Sequence, residues 1–113
     1  MVKLDAYTVA FLRRPPDAPA MSEQELDALQ QRHLAFWAVL RQAGHVVVNG
    51  PFTGQPDESL RGFAVFRTSV EETRRLGNED PLVRAGRLVL EIFTWLMAPG
   101  SLGDRPASTT QLD

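Results

Sequence analysis

The first clear rhythm along the chain has period two. Tyr7, Val9 and Phe11 interleave with Ala6, Thr8 and Ala10, and because side chains two apart share one face of a sheet, Ala6–Leu12 is predicted to be a strand. Arg13-Arg14-Pro15-Pro16 ends it, since proline removes ladder donors. After a loop over Asp17–Ala20 the period changes. Leu26, Leu29, Phe36, Trp37 and Leu40 gather into one stripe when placed at about 100° per residue, which predicts an amphipathic helix over Ser22–Ala43. Ser22 with Glu25 three residues on is a capping box for its start, and Gly44 suits its end. The β-branched run Val46–Val48 reads as a second strand, closed by Asn49-Gly50-Pro51. Gly54, Pro56, Asp57 and Ser59 make Phe52–Arg61 a hairpin loop or a flap. Gly62–Arg67 resumes the alternation. Ser69 and Glu72 cap a short charged helix, Val70–Gly77. Asp80 and Pro81 are the N-cap and first residue of another, Leu82–Ala85, closed by Gly86. Val89–Leu96 is the last predicted strand, and the polar segment Pro99–Asp113 is predicted to be a tail.

Strand, helix, strand, strand, helix, strand is the βαββαβ order of the ferredoxin-like split βαβ, an α+β fold with an antiparallel sheet and its helices on one face. Residues 1–98 form the expected domain and 99–113 the tail. The first and last strands carry apolar side chains on both faces, with Phe93 and Trp95 opposite Leu90 and Ile92. Helices cover one face only. The other would stay as a large apolar patch, so a homodimer with sheets packed face to face is expected. Glu91, which interrupts the apolar row, is expected to pair with an arginine at the dimer interface, the alternative being a strand end near solvent.

Composition narrows the class. The 113 residues suffice for one core without staples, and a net charge of −2 supplies no basic field for a nucleic-acid backbone. The absence of cysteine removes thiolate catalysis, disulfides and cysteine zinc sites. No basic stretch with a long apolar run opens the chain, and no apolar run approaches the ~18 residues of a membrane span, so a cytoplasmic protein is expected, with no membrane partner. Arginine supplies eleven of the twelve basic residues, and its planar fork suits bidentate pairing with anions.

Glycine-rich phosphate loops, nucleophile elbows and His-Glu-x-x-His are absent, so no metal or organic cofactor is expected. What remains is His33, which falls inside the apolar stripe of the first long helix. A titratable ring there is either hydrogen-bonded within the core or lines a cavity. Asp80 precedes the last strand, where it can cap a helix, orient His33, or do both, because a carboxylate has several lone pairs. Trp37 continues the stripe as core or as a substrate wall. Pro51, Arg61 and Arg84 are the further substrate-binding candidates, with Pro51–Arg61 as a lid and Arg61 or Arg84 holding a substrate anion.

Gln31-Arg32-His33-Leu34, the run Val46-Val47-Val48-Asn49-Gly50-Pro51, and Glu79-Asp80-Pro81-Leu82-Val83-Arg84-Ala85-Gly86 together resemble the YCII-related (YciI-like) family over roughly residues 5–98. The resemblance implies a dimeric α+β barrel architecture and a histidine–aspartate pair in a pocket, which maps onto His33 and Asp80. Some members act as lyases or dehydrochlorinases on hydroxylated ring compounds. Two positions depart from the family pattern, Gln30 where a basic residue is common and Leu82 where an aromatic is common, which implies a ligand different from that of the better-known members, or none. Two functions are therefore expected. The first is a small-molecule enzyme with His33 as general acid/base oriented by Asp80, acting by proton abstraction, elimination or isomerisation on a small cyclic or carbonyl compound. The alternative is a non-catalytic dimeric module that binds a small ligand or a protein, with His33 and Asp80 as a structural pair. A haem- or quinone-handling protein is a third option, carried by His33 alone.

Overall fold

A computed structural model describes residues 2–103 and 105–112. Met1 of the expected domain and Asp104 and Asp113 of the expected tail lie outside the described residues. The elements follow the expected order as far as β4 and add a fifth strand: β1 (Val2–Arg13), α1 (Glu23–Gln42), β2 (Val46–Pro51), β3 (Leu60–Phe66), α2 (Val70–Gly77), α3 (Pro81–Arg84), β4 (Val89–Met97) and β5 (Ser108–Leu112). The antiparallel sheet runs β2-β3-β1-β4, an α+β arrangement with β1 at its centre. As the edge strand, β2 can end in Pro51 without losing a ladder bond.

Local chemistry sets most boundaries. Ser22 accepts from the Glu25 amide while the Glu25 side chain returns to the Ser22 amide, so both halves of the capping box start α1. Gly44 follows the helix with φ of +81°, a value glycine adopts without strain. Ser69 caps α2 through the Glu72 amide, but the Glu72 carboxylate turns to Arg75 instead of closing the box. Asp80 caps α3 through the Leu82 amide, with Pro81 behind it.

Two differences from expectation concern β1 and the polar tail. β1 begins four residues earlier than its alternation suggests, because Val2–Ala6 pairs with Ser108–Leu112. Asp5 and Ala6 pair with β4 as well, so β5 lies on the opposite edge of β1, in line with β3. Where polar composition predicts a loose tail, backbone pairing therefore makes a fifth strand. The segment leading to it is pinned by Asp5, whose buried carboxylate accepts from the Gly100 amide at 2.9 Å.

The core lies between the helices and one sheet face. Ala10, Leu12, Ala64 and Phe66 from the sheet meet Leu29, Trp37 and Leu40 from α1, with Leu82 and Leu88 closing one end. On the other face Tyr7, Val9 and Val65 are buried beneath Val47, Phe63, Met97 and Leu102. Beyond them the aromatic row continues uncovered. Phe11 meets a tilted Phe63 ring at 4.8 Å and Phe93 edge-on at 6.1 Å, and Phe63 meets Trp95 edge-on at 6.2 Å. Phe93 and Trp95 remain 51% and 44% exposed. Glu91, in the same row, pairs with Arg13 of its own chain. Arg13 also reaches Asp57 at 3.0 Å and Ser59 at 3.2 Å, which ties the β2–β3 loop to the central strand.

Candidate functional site

The apolar stripe of α1 carries His33 toward the sheet, one turn before Trp37 on the same face. The short turn after α2 delivers Asp80 to the start of α3, which packs against α1. The two sequences meet there. His33 Nδ1 lies 2.7 Å from Asp80 Oδ2 and 2.9 Å from Oδ1. Trp37 Nε1 donates to Oδ2 at 2.8 Å, and the Leu82 amide donates to Oδ1 at 2.9 Å. Asp80 is fully buried. A buried carboxylate is costly unless hydrogen-bonded, and three donors compensate this one.

An ionised carboxylate only accepts, so Nδ1 is the nitrogen that donates to it. In a neutral imidazole Nε2 is then the acceptor, the form a general base needs. The His33 side chain keeps 13% of its surface exposed, and it does so at the wall of a cavity of about 380 Å³ between α1 and the sheet. Leu12, Leu26, Leu34, Trp37, Leu82 and Leu88 give that cavity an apolar lining. Asn49, Asp27 and the arginines at 14, 61 and 87 add polar groups.

Of the expected site residues, His33, Trp37, Pro51 and Arg61 line this cavity, and Asp80 stands behind His33. Arg84 does not line it; its guanidinium pairs with Glu79 at 3.4 Å, with the side chain 66% exposed. Residues 52–60 of the expected lid do not line it either, since the loop is held on Arg13 through Asp57 and Ser59. Two features escape sequence reasoning. The Trp37 indole is a donor to Asp80, for which the i,i+4 spacing from His33 is the available signal. Arg14 and Arg87 reach the cavity through strand register, which leaves no local signal. Among the described residues no group of three His, Cys, Asp or Glu side chains could hold a metal, and no helix is long and apolar enough to cross a membrane.

The model of the YCII-related domain matches residues 8–96, which include α1, the His33–Asp80 pair and β4 up to Leu96. No curated protein matches the chain. Among solved structures, 5-chloro-2-hydroxyhydroquinone dehydrochlorinase (TftG) from Burkholderia phenoliruptrix AC1100, in complex with 2,5-dihydroxybenzoquinone, is similar in fold. It aligns with a TM-score of 0.56 at 20% identity, over 87% of this chain and 99% of that one.

Proposed function

The chain belongs to the YCII-related domain family, and from that premise we propose that it is a small-molecule enzyme in which His33 is the general acid/base and Asp80 orients it. The observation that carries this reading is the imidazole held through Nδ1 on a buried carboxylate at the wall of a cavity. Nε2 takes a proton from a carbon activated by a neighbouring carbonyl or ring hydroxyl. In an elimination the C–H electron pair then forms a double bond as the leaving group departs with its own pair; in an isomerisation the proton returns at another carbon. The dehydrochlorinase with a similar fold favours small hydroxylated or carbonyl-bearing rings as the substrate class. Trp37, Pro51 and Arg61 form substrate walls, whereas Arg84 takes no part. The chemistry asks for a positioned base and a dry cavity, and the reading invokes no metal or organic cofactor. A second copy of the chain covers the aromatic sheet face, and the dimer works in the cytoplasm.

The test is the tautomer of His33, read from ¹⁵N shifts of the ring at neutral pH. The native protein is expected to carry its proton on Nδ1. In Asp80→Asn the amide can offer an N–H to Nδ1, so the proton moves to Nε2 and the base is lost. Turnover of a chlorinated hydroxyhydroquinone, followed by chloride release, should fall by about four orders of magnitude in that variant. An unchanged tautomer would sink the reading. A second reading, a binding module with a structural pair, is favoured by the Asp80 bond that caps α3. His33→Leu separates the two: a folded variant that still binds ligand, with no native turnover to lose, supports the module.

A further inference from the structure

We propose that the ring compound taken by this cavity carries a carboxylate, and that Arg14 and Arg87 hold it. The proposal rests on the cavity being a substrate site, and adds the charge of the substrate and the residues that recognise it. Both arginines line the cavity together with His33. The sheet delivers them jointly. Arg13 and Val89 are the last pair of the β1–β4 ladder, so Arg14 stands one residue beyond that pair on one chain and Arg87 two residues beyond it on the other. Both arginines thus stand at the same end of that ladder.

Among the described residues neither forms an ion pair with a carboxylate, whereas Arg13, Arg75 and Arg84 each sit on an Asp or Glu. Arg87 Nη1 donates to the Pro19 carbonyl at 2.7 Å, which fixes the side chain and leaves its charge in place. Arg61 adds a third positive group at the exposed rim, with Nη1 on the Glu58 carbonyl at 2.9 Å. Asp27 of α1 also lines the cavity, and Asp80 lies behind His33 with its oxygens already committed to three donors. Half-buried cations without a counterion are poorly solvated, and an entering anion relieves both at once. A guanidinium fork matches a carboxylate in two parallel bonds, and the leucines and Trp37 accept the ring.

The experiment is an NMR titration of the full ¹⁵N-labelled chain, read at the Trp37 indole N–H. The probes are 2-hydroxybenzoate and 4-hydroxybenzoate, each against its neutral amide. The acids are expected to shift the indole signal and to bind at least tenfold more tightly than the amides. Arg14→Gln and Arg87→Gln should each weaken acid binding by roughly ten- to a hundredfold, the range for losing a charge-assisted bond, with amide binding unchanged. Arg14 makes no side-chain hydrogen bond within the described residues, so Arg14→Gln carries the test if loss of the Pro19 contact perturbs Arg87→Gln. Arg32→Gln, outside the cavity, should bind like the native chain. Equal binding of acid and amide, native-like acid binding by both Gln variants, or an equal loss in Arg32→Gln would overturn the proposal. His33→Gln should keep the preference for the acids, so preference without turnover removes only the acid/base reading. Turnover without that preference removes only this one.

Discussion

At the scale of single residues, Asp80 does three things with two oxygens: it orients His33, anchors the Trp37 indole and caps α3. The indole bond is the one that can be removed without touching the imidazole. Trp37→Phe keeps an aromatic wall on the cavity and deletes the donor, leaving a fully buried carboxylate with one partner fewer. The variant should lose roughly 1–3 kcal/mol of stability in denaturant melts. Its turnover should fall less than that of Asp80→Asn, because His33 keeps its tautomer. A native-like melt would show that the indole bond contributes nothing. His33 was legible in the sequence because it breaks a local rule, a polar ring in an apolar stripe, and Asp80 because it follows one, a cap before proline. Arg14 and Arg87 give no local signal of either kind. Their meeting depends on the register of two strands far apart in the chain, which composition and spacing do not encode.

At the scale of elements, α1 and the short helices are readable because their caps are local. β5 is not: Ser108, Thr109 and Thr110 become a strand only through the backbone of β1. The loop between β2 and β3 sits between these cases. Its turn residues announce a hairpin, but its anchorage on Arg13 is non-local. Hydrogen bonds from the Ser59 hydroxyl and amide, then the Arg13 guanidinium, hold the Asp57 carboxyl below the usual carboxylate range. A carboxyl whose value is depressed on folding stabilises the folded state above its unfolded value, about 3.9, and that contribution is lost as the pH falls through the depressed value. The Ser59 amide resonance should therefore stay constant down to about pH 4 and titrate with a midpoint below 3.9, roughly the free-carboxyl value. A midpoint at or above that value would mean the anchorage does not persist in solution.

For the whole molecule, the two sheet faces differ in kind. One is closed by helices around the cavity, and the other presents Phe93 and Trp95 half exposed beside Phe11 and Phe63. If a second copy covers that face, the native chain should run as a dimer in size-exclusion light scattering at micromolar concentration. Phe93→Lys and Trp95→Lys should each weaken association roughly thirtyfold or more, as loss of a buried aromatic anchor does. A native chain that stays monomeric would leave the face without that partner.

The central position of β1 also shapes how the chain is made. Its three sheet partners, β3, β4 and β5, all lie in the second half of the sequence. During synthesis the apolar run from Tyr7 to Leu12 emerges ahead of these partners and must wait for strands not yet translated, while α1 forms from neighbours. Closing these long loops slows the search for the native state, so folding speed is set by the first strand and not by the helices. Until β3 and β4 arrive, that strand is the segment a chaperone would find.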